Sequence, residues 1–387
     1  MSRIITYPAG SGFIVWNSLT LNLRKAFKIT DKPALTKVPS ATLGDDHDSR
    51  LTDILSSGAV QPKILVSTLA AQLAAFYPFT DPTTQNGSLI FPGTDLPLVL
   101  KLRDGKTVTY PAAAISKMAP LAFSSDKPLL NGDLEFTMLT AGASNVGDAA
   151  SHETVGSASY TEPVWDPSDE LAGDAYSLQF GVTGLTAGAT TNGASTVAVA
   201  STAGLLVGQA ITGTGIPAAT TVATITDGTH LTLSANATAT NADLALTTTP
   251  LTVTPDKDGI TFTPTVTLEP VKPGNNATRN YRVKSIGGVL EFRPLDVDVD
   301  VFYAKYLPMQ GQNVKLGGSV RAAGFPALVS GSASGRAQLT VPLVGRAKDS
   351  ALEVNNIAPR VDKVQLMALQ TTSGGAWQPL FTLGVVD

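Results

Sequence analysis

Apolar and polar positions alternate over short stretches of this chain, and a period of two residues is typical of β-strands with one buried face. Two such stretches, Leu98–Leu102 and Thr107–Tyr110, flank Asp104-Gly105, so a hairpin is predicted there. One or two strands are predicted before residue 30. The same pattern predicts further strands at Lys63–Val66, Leu89–Phe91, Gly259–Leu268, Tyr281–Ile286, Val289–Arg293, Val297–Tyr303, Gln338–Pro342 and Val364–Leu369, and a hairpin from Leu129 through Asn131-Gly132 to Leu139.

One stretch has helical spacing instead. Leu69, Leu73 and Phe76 recur at intervals of four and three residues, and Pro78 ends the run because its ring cannot continue a helix. Ser67 precedes the run, and a serine hydroxyl can accept a hydrogen bond from a free amide of the first turn. The pattern therefore predicts one helix, capped by Ser67.

Residues 31–61 interrupt the alternation with a long polar segment. It opens with Asp31-Lys32-Pro33 and contains LGDDHDSR at residues 43–50. We predict a loop over this whole range, and loops of this length in compact domains are usually functional. A second loop is predicted over 141–175, where polar residues also dominate.

Residues 185–249 differ in composition from the rest of the chain. Between Ala187 and Thr247 there is no lysine, arginine or glutamate, and the only acids are Asp227 and Asp243. A disordered linker is one explanation, but regularly spaced valine, leucine and isoleucine residues favour short strands. The sequence thus predicts a host domain in two parts, 1–184 and 250–387, with an all-β domain inserted at 185–249.

Composition narrows the possible functions. Hydrophobic residues make up 43% of the 387 positions and charged residues 15%, with 35 glycines and 25 prolines, which favours a mainly β protein with many turns. The chain has no cysteine, so disulfides and thiolate metal sites are excluded, and its three histidines lie far apart. We expect no metal site and no cofactor.

The charge and hydropathy of the chain argue against a membrane protein and against tight nucleic-acid binding. The net charge is −4, whereas tight non-specific DNA binding needs a basic surface. The first residues contain no apolar signal-peptide core, and no run of about 18 apolar residues occurs. We therefore expect neither a signal peptide nor a membrane span.

The most conspicuous acidic pattern is Asp296, Asp298 and Asp300, which alternate with valines. Alternate residues share one face of a strand, so the three carboxylates are predicted to line one side. They are candidates for the acidic wall of a channel, which would let DNA slide because like charges repel. A solvated outer face is the alternative. A calcium loop fits poorly, because the glycine and glutamate of such loops are missing.

The polar segment offers a second candidate site: Asp45, Asp46, His47, Asp48 and Arg50. We interpret these residues as a loop tip that contacts a neighbouring subunit, with a metal site or a plain solvated turn as alternatives. An intersubunit ion pair of Arg50 with a carboxylate and a local pair with Asp46 or Asp53 are equally compatible with the sequence.

No catalytic motif is present. The chain lacks a phosphate-binding loop, a nucleophile elbow and a dinucleotide fingerprint, so we expect a protein that is not an enzyme. A carboxylate pair for glycan hydrolysis is left open, because sequence does not show which acids meet in space.

Several segments resemble one family of siphophage tail tube (major tail) proteins. The similarity is carried by LGDDHDSR at 43–50, the helix ending in Tyr77-Pro78, and four further segments: DGKTVTYPAAAISKMAPL at 104–121, LLNGDLEFT at 129–137, DGI at 258–260 and GGVLEFRP at 287–294. Within the insert, LLVGQAITGTGIPA at 205–218 resembles a small β-module common in phage structural proteins.

The resemblance implies a fold and an assembly. It implies a tail-tube-type β-sandwich or barrel with one flanking helix and a long early loop, whose subunits form rings, usually hexameric, that stack into a tube. The channel would conduct double-stranded DNA without specific binding and hold the tape-measure protein beside other tail proteins. The chain would be made in the host cytoplasm and reside in the virion. The alternative is another virion or surface structural protein, such as a decoration or adhesion module.

Overall fold

A computed structural model gives the fold. It describes residues 3–8, 10–38, 48–78, 89–90, 96–124, 127–139, 153–164, 177–202, 205–253, 255–271, 280–294, 315–326, 336–346, 353–355, 358–360, 364–368, 372–373, 376–377 and 380–386. Strands dominate these residues, with one α-helix among them, so the prediction of a mainly β protein is confirmed.

The described strands fall into three stretches of the chain. The first stretch contains β1 (Arg3–Tyr7), β2 (Gly12–Trp16), β3 (Leu19–Leu21), β4 (Phe27–Val38), β5 (Asp48–Val60), a short 3-10 helix (Val66–Thr68), α1 (Leu69–Phe76), β6 (Leu89–Ile90), β7 (Leu98–Leu102), β8 (Lys106–Tyr110), β9 (Ala112–Lys117), β10 (Leu121–Phe123), β11 (Leu134–Leu139) and β12 (Thr154–Ser157). The second contains β13 (Ser177–Phe180), β14 (Gly184–Thr190), β15 (Thr196–Ala198), β16 (Ala210–Thr212), β17 (Val222–Ile225), β18 (His230–Leu233), β19 (Asn241–Thr249) and β20 (Leu251–Val253). The third contains β21 (Pro255–Val271), β22 (Asn280–Pro294), β23 (Lys315–Pro326), β24 (Arg336–Arg346), β25 (Glu353–Asn355), β26 (Ala358–Arg360), β27 (Val364–Ala368), β28 (Thr372–Ser373), β29 (Ala376–Trp377) and β30 (Thr382–Val386).

Two five-stranded antiparallel sheets face each other at the start of the chain. Their strand orders are β1-β4-β5-β11-β9 and β12-β8-β7-β2-β3. Trp16 of the second sheet joins them, because its ring packs edge-on against Phe136 at 4.9 Å and its Nε1 donates to the carbonyl of Ala113 at 3.1 Å. A buried indole needs such a hydrogen-bond partner.

A third sheet has the order β10-β21-β22-β27-β24-β23-β13-β20, with β6 and β30 attached. Its two ends approach each other, since β10 lies close to β23 and β13 close to β21, and the sheet therefore curls toward a barrel. Phe262 of β21 packs against Phe381, which precedes β30; both are buried, with their ring centroids 4.9 Å apart. Two predicted strands, Tyr281–Ile286 and Val289–Arg293, are one continuous strand, β22.

The helix is confirmed, but its predicted cap is wrong. Leu69, Leu73 and Phe76 are buried, as their spacing requires, and α1 lies beside β30. The residue before the helix is Thr68 rather than Ser67, and no side-chain cap hydrogen bond forms there. No helix in the described ranges is both long and apolar enough to cross a membrane.

A separate six-stranded sheet, which we call the module (residues 184–249), has the order β16-β19-β14-β15-β18-β17. It encloses its own hydrophobic cluster, which includes Val197, Ile211 and Leu231. The described strands outside it, which we call the host, contain the larger core. β13 and β20 of the host pair with each other, Phe180 opposite Leu251, so the chain leaves and re-enters the host at adjacent strands.

Several local predictions are wrong. Residues 31–38 and 48–60 are strand, not loop, because β4 and β5 form a long hairpin. Residues 63–65 form no strand, and Leu130 bridges Leu121 instead of pairing back onto Leu134–Leu139. Thr154–Ser157 is a strand within the predicted loop 141–175.

Candidate assembly surface

The hairpin of β4 and β5 extends beyond the sheet to which it belongs. β1 pairs with β4 only over residues 27–31, and β11 pairs with β5 only over residues 56–60. Residues 32–38 and 48–55, which we call the arm, pair only with each other among the described strands. Seven strand residues at about 3.3 Å each give the arm a length of roughly 20 Å.

A buried polar pair lies at the base of the arm. Asp31 and Ser56 are directly opposite each other, 6% and 1% exposed, and the Ser56 hydroxyl donates to Oδ1 of Asp31. A carboxylate is costly to bury unless it is hydrogen-bonded. The pair therefore marks the position where the hairpin leaves the sheet and favours one register there.

Two of the predicted loop-tip residues lie in the arm. Asp48 pairs with Val38 and Arg50 with Thr36, so both belong to β5 and not to a loop. Asp45, Asp46 and His47 lie outside the described residues. The intersubunit role of all five stays a prediction, now with Asp48 and Arg50 placed on a projecting strand.

The predicted acidic strand lies beyond the described part of the chain. β22 ends at Pro294, and Asp296, Asp298 and Asp300 follow outside the described residues. Their role as a channel wall stays a prediction.

β1 and β12 are among the host edge strands that have an unpaired side in the described part of the chain. β1 pairs only with β4 and carries Ile4, which is 58% exposed. β12 pairs only with β8 and carries Val155, which is 64% exposed. β12 contains neither charge nor proline, the usual devices that prevent an edge from pairing with another chain. Sequence reasoning missed β12 because four residues are too few to establish an alternating pattern.

Polar contacts hold β12 in place at its start. Tyr110 of β8 donates its hydroxyl to Oε2 of Glu153 at 3.1 Å, directly before β12. Burial raises the pKa of the Tyr110 hydroxyl, and the negative charges of Glu153 and Asp31 raise it further. The phenol therefore stays protonated and remains a hydrogen-bond donor across the ordinary pH range.

The segment after β12 is also fixed. Arg103 pairs with Glu162, and this hydrogen bond raises the pKa of Arg103. Tyr160 packs against Phe13 with ring centroids 5.7 Å apart. The β12 edge is thus exposed, and the residues on both sides of it contact neighbouring parts of the host.

The module, in contrast, closes its own edges. Its terminal strands are β16 and β17, and Ala210 bridges Thr221 between them. Backbone hydrogen bonds from Ile211 to Thr220, at 3.0 Å, and from Val222 to Gln209, at 2.9 Å, complete the ring. A closed sheet leaves no edge for another chain to extend.

The described residues include no cluster of three or more histidine, aspartate or glutamate side chains that could hold a metal ion. Asp227 and His230 do meet in the module, with Oδ1 and Nδ1 3.0 Å apart. The amides of Thr229 and His230 donate to the same carboxylate at 2.7 and 2.8 Å, which is the geometry of a tight turn.

Comparison with known proteins adds no assignment. No protein-family model matches the chain, and no significant similarity to a curated protein was found.

Proposed function

We propose that this chain is the subunit of a bacteriophage tail tube, a non-catalytic protein that assembles with copies of itself into stacked rings. One observation carries the proposal. Among the described strands, the edges of β1 and β12 are open and the arm projects from its sheet, whereas the inserted module closes its own sheet. Open edges can bind further strands, and a second copy of the chain is the partner that makes a repeating assembly.

The segments that resemble tail tube proteins support the same function. They include β8, β9 and β11, which build the sandwich next to the open edges. We propose hexameric rings whose channel holds the tape-measure protein and then conducts double-stranded DNA. A net charge of −4 supports passage without retention, because an acidic protein does not bind a polyanion tightly. The site of action is the virion, after synthesis in the host cytoplasm.

Electron microscopy and sedimentation of the purified chain test this function. The expected result is rings or tubes that form as concentration rises, with a channel wide enough for a DNA duplex. A chain that stays monomeric at high concentration overturns the proposal.

A second candidate is a decoration or adhesion protein of a virion or cell surface. The closed, nearly uncharged module favours it, because such a unit needs no neighbouring copy to complete its sheet. Binding to intact host cells by a chain that never polymerises distinguishes this candidate from a tube subunit.

A further inference from the structure

Two consecutive residues of the module belong to two different cores. Leu205 is 1% exposed and belongs to the hydrophobic cluster of the module. Leu206 is 6% exposed and belongs to the larger core of the host. Any rotation of the module about its connections would withdraw Leu206 from the host core and expose it to water.

The same turn carries a buried glutamine that joins it to the chain where the module begins. Gln209 is 5% exposed, and its Oε1 accepts a hydrogen bond from the amide of Leu206 at 3.2 Å. Its Nε2 donates to the carbonyl of Val182, which lies between β13 of the host and β14 of the module. One side chain thus connects the turn that enters the host core to the connecting segment.

The exit of the module is tied to the same segment. The hydroxyl of Thr248 also donates to the carbonyl of Val182, and the amide of Thr248 donates to the carbonyl of Thr183 at 3.1 Å. The Val182 carbonyl therefore accepts hydrogen bonds from Gln209 and from Thr248, near the other end of the module. A connection held at both ends by buried bonds is not a free hinge.

Gly181 leaves the space that Gln209 needs. Its φ is +96°, a conformation that favours glycine. A Cβ atom at this position would lie 2.5 Å from Oε1 and 2.8 Å from Cδ of Gln209. A side chain here would force the glutamine amide to move from its hydrogen-bonded position.

We propose that Gly181, Gln209 and Leu206 form a lock that fixes the orientation of the module relative to the host. The module is then a rigid projection and not a tethered domain, so every copy presents the same faces in the same direction. The lock is independent of the tube function, because it concerns one chain only.

Spin labels test the lock without background, because the chain contains no cysteine. Lys106→Cys in the host and Ala223→Cys in the module place labels at two exposed positions. In the otherwise unchanged chain we expect a single narrow distance distribution by pulsed electron paramagnetic resonance. Gly181→Ala and Gln209→Ala are each expected to broaden this distance distribution. In a hydrogen-exchange measurement, Gln209→Ala should also reduce the protection of the Leu206 amide by about tenfold.

Gly193→Ala is the matched control. Gly193 also has a positive φ, +81°, but a Cβ atom added there would meet no other atom within 4 Å, so the substitution adds backbone strain without touching Gln209. It should leave the distance distribution narrow.

Three outcomes of the distance measurement overturn the lock. The first is a distance distribution that is already broad before any substitution, and the second is a distribution that stays narrow in Gln209→Ala. The third is a Gly193→Ala variant that broadens the distribution as much as Gly181→Ala does. Gln209→Met keeps the side-chain volume but removes both hydrogen bonds. A broad distance distribution in a folded Gln209→Met variant would therefore show that the lock is lost while the fold is kept. Unfolding of the module in both Gln209 variants, detected by circular dichroism, would make Gln209 a stability residue and also overturn the proposal.

Discussion

At the residue scale, single side chains join elements that are far apart in sequence. Trp16 is the clearest case, because one indole links a carbonyl of β9 by a hydrogen bond and a ring of β11 by packing. Its partners, Ala113 and Phe136, lie about a hundred residues later in the chain. Such residues decide whether the two five-stranded sheets stay together.

Replacing Trp16 with alanine should lower the free energy of unfolding by about 3–5 kcal/mol, since the change removes a buried aromatic ring and leaves a cavity. Chemical denaturation monitored by circular dichroism measures the loss. Val164→Ala is the control, because Val164 is 97% exposed and should change stability little. Equal effects of the two substitutions would show that Trp16 does not join the sheets.

Asp227 predicts a pH dependence confined to the module. Hydrogen bonds from the Thr229 amide and from His230 lower the pKa of its carboxyl from the ordinary 3.8 to about 2. A lowered folded-state pKa stabilises the folded turn above pH 3.8, and this contribution is lost as the pH falls through about 2. Carbon-13 chemical shifts of the carboxyl should titrate with a midpoint near 2.

Asp227→Asn should remove this pH dependence of the turn, while Asp243→Asn, the other acidic position of the module, should leave it in place. A midpoint near the ordinary value for Asp227 would show that its hydrogen bonds are absent in solution.

At the element scale, the sequence predicted strands well where a buried face selects alternating residues, as in β7, whose predicted bounds are the observed ones. It failed for the arm. Main-chain pairing between two strands does not require alternation, so Pro33, Asp48 and their polar neighbours in the arm resembled a loop. Which strands are edges also depends on pairings between distant segments, such as β12 with β8, and these leave no local pattern.

The edge of β12 is the first element to test by substitution. Val155→Lys places a charge on an exposed, uncharged edge, and edge lysines oppose pairing with another chain. The concentration needed for assembly should rise by about tenfold or more, since each 1.4 kcal/mol of interface energy changes an equilibrium constant tenfold. Light scattering across a concentration series measures this.

Val207→Lys is the matched control for Val155→Lys. Val207 is similarly exposed, 51%, but lies in the module, whose sheet is closed. Assembly that weakens equally in both variants would show that surface charge, and not the β12 edge, is responsible.

The arm is the second element to test. Replacing residues 33–54 with a tight turn removes the projecting part of the hairpin but keeps the Asp31–Ser56 pair and the strands that β1 and β11 contact. We expect a folded chain, by circular dichroism, that no longer forms tubes in electron micrographs. Tubes of normal length from this variant would contradict an assembly role for the arm.

At the scale of the whole molecule, the chain divides its strands between two kinds of sheet. Among the described strands, the two five-stranded host sheets end in open edges, while the module closes on itself and is joined to the host through adjacent strands. Composition predicts an inserted domain at residues 185–249, because a nearly uncharged stretch stands out in any sequence, and the strands of the module lie within residues 184–249. The sequence did not predict that the sheet of the module closes, because the closure depends on a β-bridge between Ala210 and Thr221.

This division predicts that the module is dispensable for assembly. Joining Gly181 directly to Pro250 should let β13 and β20 pair as a simple hairpin, because Phe180 and Leu251 are already opposite each other. Among the described residues of the module, Leu206 is the one that packs in the host core, and the loss of this packing costs about 1.5–3 kcal/mol. Electron microscopy should show tubes with the same channel and a thinner wall. The Leu206→Ala variant of the full chain is the control for that lost packing. If this variant assembles and the deletion variant does not, the module itself is part of the wall. The separation of an assembling host from an accessory module would then be wrong.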